Sequence, residues 1–525
     1  MYRVEFTKKE RPSFLDIKSS LIYNYSNYIG YKYLKKDGVS MNLDFKELED
    51  FVTQQMSDFN VPSMSIAVVQ GEEAIYTKCF GYKDVENQIA PDENTVYAIA
   101  SLSKAMTATC VGILVDEGKL SWDVPVINYL PEFRLQDEFA TKSITLRDML
   151  SHNTGLPRHD TAWYNTDESD TTANLVERMR YLKFNKSPRS LYEYNNFMFT
   201  AAGYVIERVT GVTWDKFIDE SIFKPLGMSN SSAVVVGLAE AENKALPYKP
   251  VKNVPNDITL SKYLNFDGMG ACGSVNSTIS DMSKWASMNL MGGTYKGKTI
   301  LSGKALKEIH TPNAVQRAMP TMPEIPIICY GLGWGARVYR GHYNLSHSGG
   351  IDGFSTHISL LPNSNVGIII LTNVVGTNVH FAVANTFKDF MLGLPEKDWA
   401  AHMKNEMRKM LDETIKKNDS IIAARKSDAA PSTPIENYVG VYEHKGYGKV
   451  TVTLKDSKLH MSFNGASAEL VHSNYDTFDV DLFDNSVTSL IPARFFLNKT
   501  GEVSEFHVEL EQALGGEMIA FMKVG

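Results

Sequence analysis

Hydrophobic positions recur with two different periods along this chain, and the switches between them mark out its elements. Leu43, Phe45, Leu48, Phe51, Val52 and Met56 fall on one face at helical spacing and predict a helix over about 43–59. "MSIAVVQGEEAIYTKCFG" then reads as two strands joined by a hairpin turn at Gly71, with apolar and β-branched residues on both sides. A helix follows from about Ser101 to Gly118, and a long region of helices and loops runs to about residue 265. Strand patterns return at "YGLGWGARVY" (330–339), "HISLLP" (357–362) and "VGIIILTN" (366–373), and a helix is predicted from about Asn378 to Leu392. The first and last parts of this domain therefore build one sheet with helices inserted between them. That is an α/β fold: an antiparallel sheet flanked by helices, plus a helical subdomain.

Past "LPEKDW" the pattern changes twice. Residues 397–425 are charged and helical, and "RKSDAAPSTPIE" is the best linker in the chain. From 435 onward, "GKVTVTL", "KLHMSF", "AELVHS", "ARFFLN", "SEFHVEL" and "MIAFMKV" are short runs, many alternating, split by Gly, Asn and Asp turns. They predict a small all-β barrel or sandwich. The expected organisation is an N-terminal extension (1–42), a main domain (43–395), a helical linker (396–434) and an antiparallel β-domain (435–525), with no internal repeat.

Composition narrows the function classes. A chain of 525 residues is too long for one ordinary core, and 43% hydrophobic with 22% charged residues is the balance of a globular protein. A net charge of −8 without a basic run argues against nucleic acid as a partner. No run of eighteen apolar residues predicts a membrane span, and the Tyr- and Lys-rich N-terminus lacks a signal-peptide pattern, so a cytoplasmic location is expected. Cys79, Cys110, Cys272 and Cys329 are widely spaced among apolar or small residues, which reads as four buried free thiols and agrees with a reducing compartment. Metal-ligand spacings are absent, so neither metal nor cofactor is implied.

The candidate chemistry begins at "AIASLSKAMTATC", where Ser101 and Lys104 stand three apart at the start of an apolar helix. Residues i and i+3 share a helix face, so the two side chains can touch. A cation is disfavoured at a helix N-terminus, which makes Lys104 a poor choice for stability. It is a good choice for chemistry, because burial and the positive helix end both favour an unprotonated amine that can take a serine's proton. Spacing alone does not decide, since "SIFK" at Ser221–Lys224 satisfies the same rule.

Ordered context decides. "VPSMSIAVVQ", "GKLSWDVPVINYLP", "ITLRDMLSHNTGLP", "YEYNNFMFTAAGYVIERVTG", "IFKPLGM", "YGLGWG" and "SHSGGIDGFSTHISLLPNSNVGIIILTN" surround these residues over about 43–392. Together they resemble the serine β-lactamase and penicillin-binding-protein superfamily, in its branch of esterases, D-peptidases and amidases related to class C β-lactamases. The resemblance implies Ser101 as the acylated nucleophile and Lys104 and Tyr194 as a coupled proton-transfer pair, with the choice of base left open. It implies that Asn196 bonds Lys104 and the substrate's acyl-side amide or carbonyl. The third motif falls on His347, Ser348 and Gly349, followed by Gly350, where β-lactamases carry Lys-Thr-Gly. A histidine, mostly neutral at pH 7, replaces a permanent cation there, which argues against efficient β-lactam hydrolysis. The oxyanion hole implied is the N–H groups of Ser101 and Gly350. No separate deacylation glutamate is visible, so deacylation falls to Lys104 and Tyr194, with His347 as a possible assistant. His152 reads as a packing residue.

The loop 158–187, with Trp163 and Tyr164, and the stretches 239–266 and 311–329 are expected to wall the site. The β-domain, from "ENYVGVYEH", resembles the lipocalin-like barrel of some members of this branch; its alternating strands are explained by its own core. The expected partner is a small-molecule or peptide-like ester or amide, with a homo-oligomer open. The leading function is hydrolysis through an acyl-enzyme. Acyl transfer by the same residues, and a non-catalytic penicillin-binding or sensor role, are the alternatives.

Overall fold

The computed structural model describes residues 45–524 except 165–169, 255, 264, 320, 321, 427 and 484–487; the expected extension over 1–42 and Leu43 lie outside them. In chain order the elements that frame the site are α1 (Lys46–Asp58), β1 (Ser63–Gln70), β2 (Glu73–Gly81), α2 (Ser103–Asp116), α3 (Asn196–Thr210) and α4 (Ile279–Leu290). Then come β3 (Ala314–Ala318), β4 (Ile327–Tyr330), β5 (Gly335–Tyr339), β6 (His342–Ile351), β7 (Phe354–Leu361), β8 (Val366–Thr372), α5 (Val379–Leu392) and α6 (Trp399–Ala423). Among the described residues the strands β1 to β8 form one antiparallel sheet in the order β2-β1-β8-β7-β6-β5-β4-β3.

The central strands β1, β7 and β8 are buried along nearly their whole length because helices cover both faces. Their side chains divide with the strand period of two. Ile66, Val68, Ile368 and Ile370 pack with Val383 and Phe387 of α5 and with Leu48 and Val52 of α1. Ala67, Val69, Ile369 and Leu371 face the other way, toward Trp285 and Ala286 of α4 and the large core around α2. α2 itself is buried on almost every side from Ser103 to Leu114, which is why its sequence shows no polar face.

Two expectations over this domain are corrected. "YGLGWGARVY" is not one strand: it breaks into β4 and β5 around Gly333, whose φ is +75°. A Cβ there would stand 2.6 Å from the Lys104 carbonyl, so the turn is the price of letting the sheet's edge meet α2. Of the four free cysteines, Cys110 and Cys272 are buried, but Cys79 and Cys329 are only half-buried because they sit near the two sheet edges.

The C-terminal part is a closed eight-stranded antiparallel barrel of β9 (Gly440–His444), β10 (Gly448–Lys455), β11 (Lys458–Phe463), β12 (Ala466–Asn474), β13 (Thr477–Val480), β14 (Ile491–Leu497), β15 (Val503–Val508) and β16 (Ile519–Val524). Sequence patterning missed β9 and β13, the two shortest strands of the barrel. Closure pairs β9 with β16 and removes both sheet edges. Tyr438, Tyr442, Phe478, Phe495, Phe506 and Phe521 fill the interior, with rings 4.5 Å apart between Phe495 and Phe506. The barrel is thus a packed core. α6 bridges the two parts: Trp399 at its start is buried and donates to Asp389 at 2.7 Å, while Asn418 reaches the barrel at Thr488.

Candidate active site

Ser101 lies in a short 3-10 turn, Ala100–Leu102, that leads into α2 at Ser103, two residues later than the sequence reading placed the helix. The turn is sharp. Ala100 has φ +48°, a left-handed conformation costly for a residue with a Cβ. The Ser103 hydroxyl braces it by donating to Ala100 O at 2.6 Å and accepting from Val275 N.

Lys104 is fully buried, and its Nζ has two oxygen partners: Ser101 Oγ at 3.0 Å and Cys272 O at 2.7 Å. Among the described residues no carboxylate is ion-paired with it; aromatic faces of Tyr194 and Phe199 lie 5.0 and 5.4 Å away instead. Tyr194 donates its hydroxyl to the same Ser101 Oγ at 3.0 Å. Lys224, which shares the Ser-x-x-Lys spacing, is an exposed residue paired with Asp219 and Glu220. Burial, not spacing, separates the two pairs.

Asn195 caps α3 and donates to Pro157 O at 2.5 Å, while its N–H goes to His152 Nδ1 at 3.1 Å. His152 is enclosed by Tyr192, Tyr194, Phe199 and Tyr330, and burial with the nearby Lys104 charge holds it well below the usual histidine range. Asn196 does not bond Lys104. Its Nδ2 donates to Asp160 Oδ1 at 2.8 Å, and its Oδ1 is buried without a partner.

His347 is buried with both ring nitrogens engaged. Nδ1 lies 2.7 Å from Ser348 O and Nε2 lies 2.7 Å from the Tyr330 hydroxyl. A carbonyl only accepts, so Nδ1 carries the proton and Nε2 accepts from Tyr330. Burial, then Lys104, push its pKa down to about 3, so the ring is neutral. Ser348 faces the opposite side of the sheet, where its Oγ meets His357 Nδ1 at 2.9 Å; period-two alternation along β6 forces that choice once His347 faces the site. Gly349 backs onto Ile99 O, and Gly350 opens to the pocket.

The pocket, about 200 Å³, has Ser101, Asn196 and Gly350 among its walls; Lys104, Tyr194 and His347 stand behind them. Its lining includes the aromatic Trp163, Tyr164 and Phe266 and the charged Arg158, Asp160 and Asp352. The loop at 158–164 and the end of 239–266 therefore do wall it, while no described residue of 311–329 lines it. Arg158 and Asp160 escaped the sequence reading. The Arg158 guanidinium lies 4.9 Å from the Tyr194 ring centre and pairs with Asp160.

The barrel holds the outer side of the same loop. Tyr447 OH meets His159 Nδ1 at 2.5 Å, Asn464 Nδ2 donates to Thr161 O at 2.7 Å, and Glu511 Oε1 accepts from Thr161 N and Oγ1 at 2.7 and 2.6 Å. Burial, reinforced by Asp160 and opposed by the Thr161 hydrogen bonds, raises the Glu511 carboxyl to about 8. The unfolded chain ionises it near 4.5, so its contribution to stability is present below that pH and is lost as pH rises toward 8. Glu511→Gln should therefore melt a few degrees above the wild type at pH 8 and level with it at pH 4.5, by calorimetry at both values. A lower melting point at pH 8 would contradict the assignment.

The comparisons with known proteins agree with this fold. The Beta-lactamase family profile matches residues 48–390, which span the whole sheet and the site. The chain belongs to the Beta-lactamase family. A second profile, a domain of unknown function (DUF3471), matches residues 424–523 of the barrel. The unguisins hydrolase ungD' of Aspergillus campestris is 30% identical over 521 residues, covering 93% of each chain. Protein flp of Staphylococcus aureus is 25% identical over 332 residues, 63% of each chain. Among solved structures, an octameric penicillin-binding protein homologue from Pyrococcus abyssi superposes with a TM-score of 0.60 at 21% identity, covering 91% of this chain and 100% of its own. SurE does so with a TM-score of 0.56 at 16% identity, over 91% of this chain and 98% of its own. Within the family, this Beta-lactamase member is a serine hydrolase of two parts, a mixed α/β domain and an all-β barrel. Among the described residues no helix is long and apolar enough to cross a membrane.

Proposed function

We propose that this protein cleaves a peptide-like ester or amide through an acyl-enzyme on Ser101. One observation carries the reading: Ser101 Oγ stands at the pocket wall within 3.0 Å of both Lys104 Nζ and Tyr194 OH, and that lysine is buried with no paired carboxylate among the described residues. A serine hydroxyl attacks a carbonyl only when a neighbour takes its proton. Either neighbour, once unprotonated, accepts it as the Oγ–carbon bond forms. The tetrahedral oxyanion falls to the Ser101 and Gly350 N–H groups, and its collapse expels the alcohol or amine, which leaves with a proton returned by the same pair. Water then repeats the sequence on the acyl-enzyme. His347 supports the site from behind, because its tautomer is fixed and neither nitrogen is free to take a proton.

The pocket supports an acyl group with an apolar or aromatic side chain beside a polar amide, since Trp163 and Phe266 line it together with Asn196 and Asp160. A relative that matches over 93% of each chain is named an unguisins hydrolase. Unguisins, and peptides and esters with D-residues at the acyl position, are the substrates to screen first.

Intact-protein mass after treatment with a fluorophosphonate tests the nucleophile. One adduct is expected on the wild type and none on Ser101→Ala, with nitrophenyl ester turnover falling by at least about 10³-fold in the variant. Labelling or turnover that survives in Ser101→Ala would overturn the acyl-enzyme reading.

A further inference from the structure

The segment from Arg158 to Thr161, which enters a short 3-10 turn at Asp160, divides its side chains between two clients. Arg158 and Asp160 point into the hydrolase pocket, where they meet the Tyr194 ring and the Asn196 amide. His159 and Thr161 point out to the barrel, where they meet Tyr447, Asn464 and Glu511. The three barrel residues come from connections at one end of the barrel: β9–β10, β11–β12 and β15–β16. The fourth connection at that end, β13–β14, also reaches the hydrolase domain, where Lys252 donates to Phe483 O at 3.0 Å and pairs with Asp481 at 2.8 Å. One end of a closed barrel is thus seated on the loop that walls the nucleophile's pocket.

Glu511 makes the most demanding of these contacts. It is only 6% exposed, and a single carboxyl oxygen accepts both donors of Thr161. Burying such a group is costly unless its hydrogen bonds are made, and this one makes them to a residue adjacent to Asp160. Asp160 in turn accepts from Trp163 Nε1 at 2.9 Å and from Asn196 Nδ2 at 2.8 Å. The second bond fixes which way the Asn196 amide faces. With Nδ2 committed to Asp160, the Oδ1 is the atom left over, buried and without a partner in a residue that lines the pocket. A buried acceptor left open in this way is completed by a donor, and the donor that reaches a pocket wall is a substrate N–H.

We propose that Glu511 is a positioning residue of the hydrolase site: through Thr161 and Asp160 it sets the Asn196 carboxamide to accept an N–H from the acyl side of the substrate. The barrel then serves recognition of amide-bearing acyl groups without touching the substrate. This rests on the acyl-enzyme reading above.

The test uses the full chain and two probes, an N-acetyl-phenylalanine nitrophenyl ester in both enantiomers, which carries an acyl-side N–H, and nitrophenyl acetate, which does not. Glu511→Ala should lose about tenfold in kcat/KM on the better enantiomer of the first probe, mainly through KM, with a much smaller loss on the acetate. Glu511→Gln keeps the accepting oxygen and should retain the wild-type ratio between probes. Thr161→Val, which removes one of the two donors and leaves the barrel untouched, should show part of the same selective loss. The deciding comparison is a double-mutant cycle: Asn196→Ala with Glu511→Ala should be no worse than Asn196→Ala alone, because both act through one amide. Additive losses, equal losses on both probes, or a Gln variant as poor as Ala would each overturn the proposal. If instead Ser101→Ala keeps turnover, the acyl-enzyme reading fails first and takes this one with it.

Discussion

Lys104→Met is expected to lower kcat by about 10³-fold or more without lowering the melting temperature. The two effects have one cause. Lys104 is fully buried, bonds a hydroxyl and a carbonyl, and has no paired carboxylate among the described residues. A buried ammonium without a counter-charge costs several kcal/mol, on the order expected for an ion taken out of water. Methionine fills much the same volume, needs no partner, and packs well against Tyr194 and Phe199. Removing the amine also removes one of the two groups able to take or return the Ser101 proton, and only Tyr194 is left. Single-turnover acylation by a nitrophenyl ester and thermal melting of the same samples check both halves. A variant that loses activity and stability together would mean that Lys104 is a structural residue. One that keeps its rate would leave Tyr194 as the sole proton carrier.

This opposition between stability and chemistry is what made the lysine readable in the first place. A cation at the head of an apolar helix breaks a local rule, and no described residue forms a compensating ion pair with it. The motif on Tyr194 was legible from order along the chain, and the sheet from its β-branched runs. What lay beyond the sequence is of another kind. Arg158 and Asp160 sit in a loop with no period, and their importance comes from the Tyr194 ring and the Asn196 amide they meet. Glu511 is 350 residues from Thr161 in the chain, and nothing near it marks it out from the other carboxylates of the barrel. The barrel's alternating strands correctly announced a core, but a core says nothing about which end docks against a neighbour. Ser348 is a different case. Its turn away from the pocket follows from strand alternation, and His347 and Ser348 cannot both face the site.

The second large effect concerns the glycines that follow them, which look interchangeable in sequence and are not. A Cβ on Gly349 would stand 2.1 Å from Ile99 O and 2.4 Å from Thr356 Oγ1, two atoms already bonded to each other at 2.9 Å. Ile99 O also accepts from Leu102 N, closing the turn that carries Ser101. A methyl group there must push β6 away from the nucleophile's own backbone. Gly349→Ala should therefore cost about 1–3 kcal/mol of stability from overpacking and, by moving the nucleophile relative to Gly350, about 10²-fold in kcat. A Cβ on Gly350 meets nothing within 4 Å, so Gly350→Ala should melt like the wild type. Strand alternation puts that methyl on the side of Ser348, away from His347, so kcat should change far less than in Gly349→Ala. Melting curves and kcat and KM for the two variants separate the cases. Equal melting of Gly349→Ala and the wild type would show that β6 can retreat from Ile99 without strain, and the close seating of strand on nucleophile turn would then not be what fixes the oxyanion site.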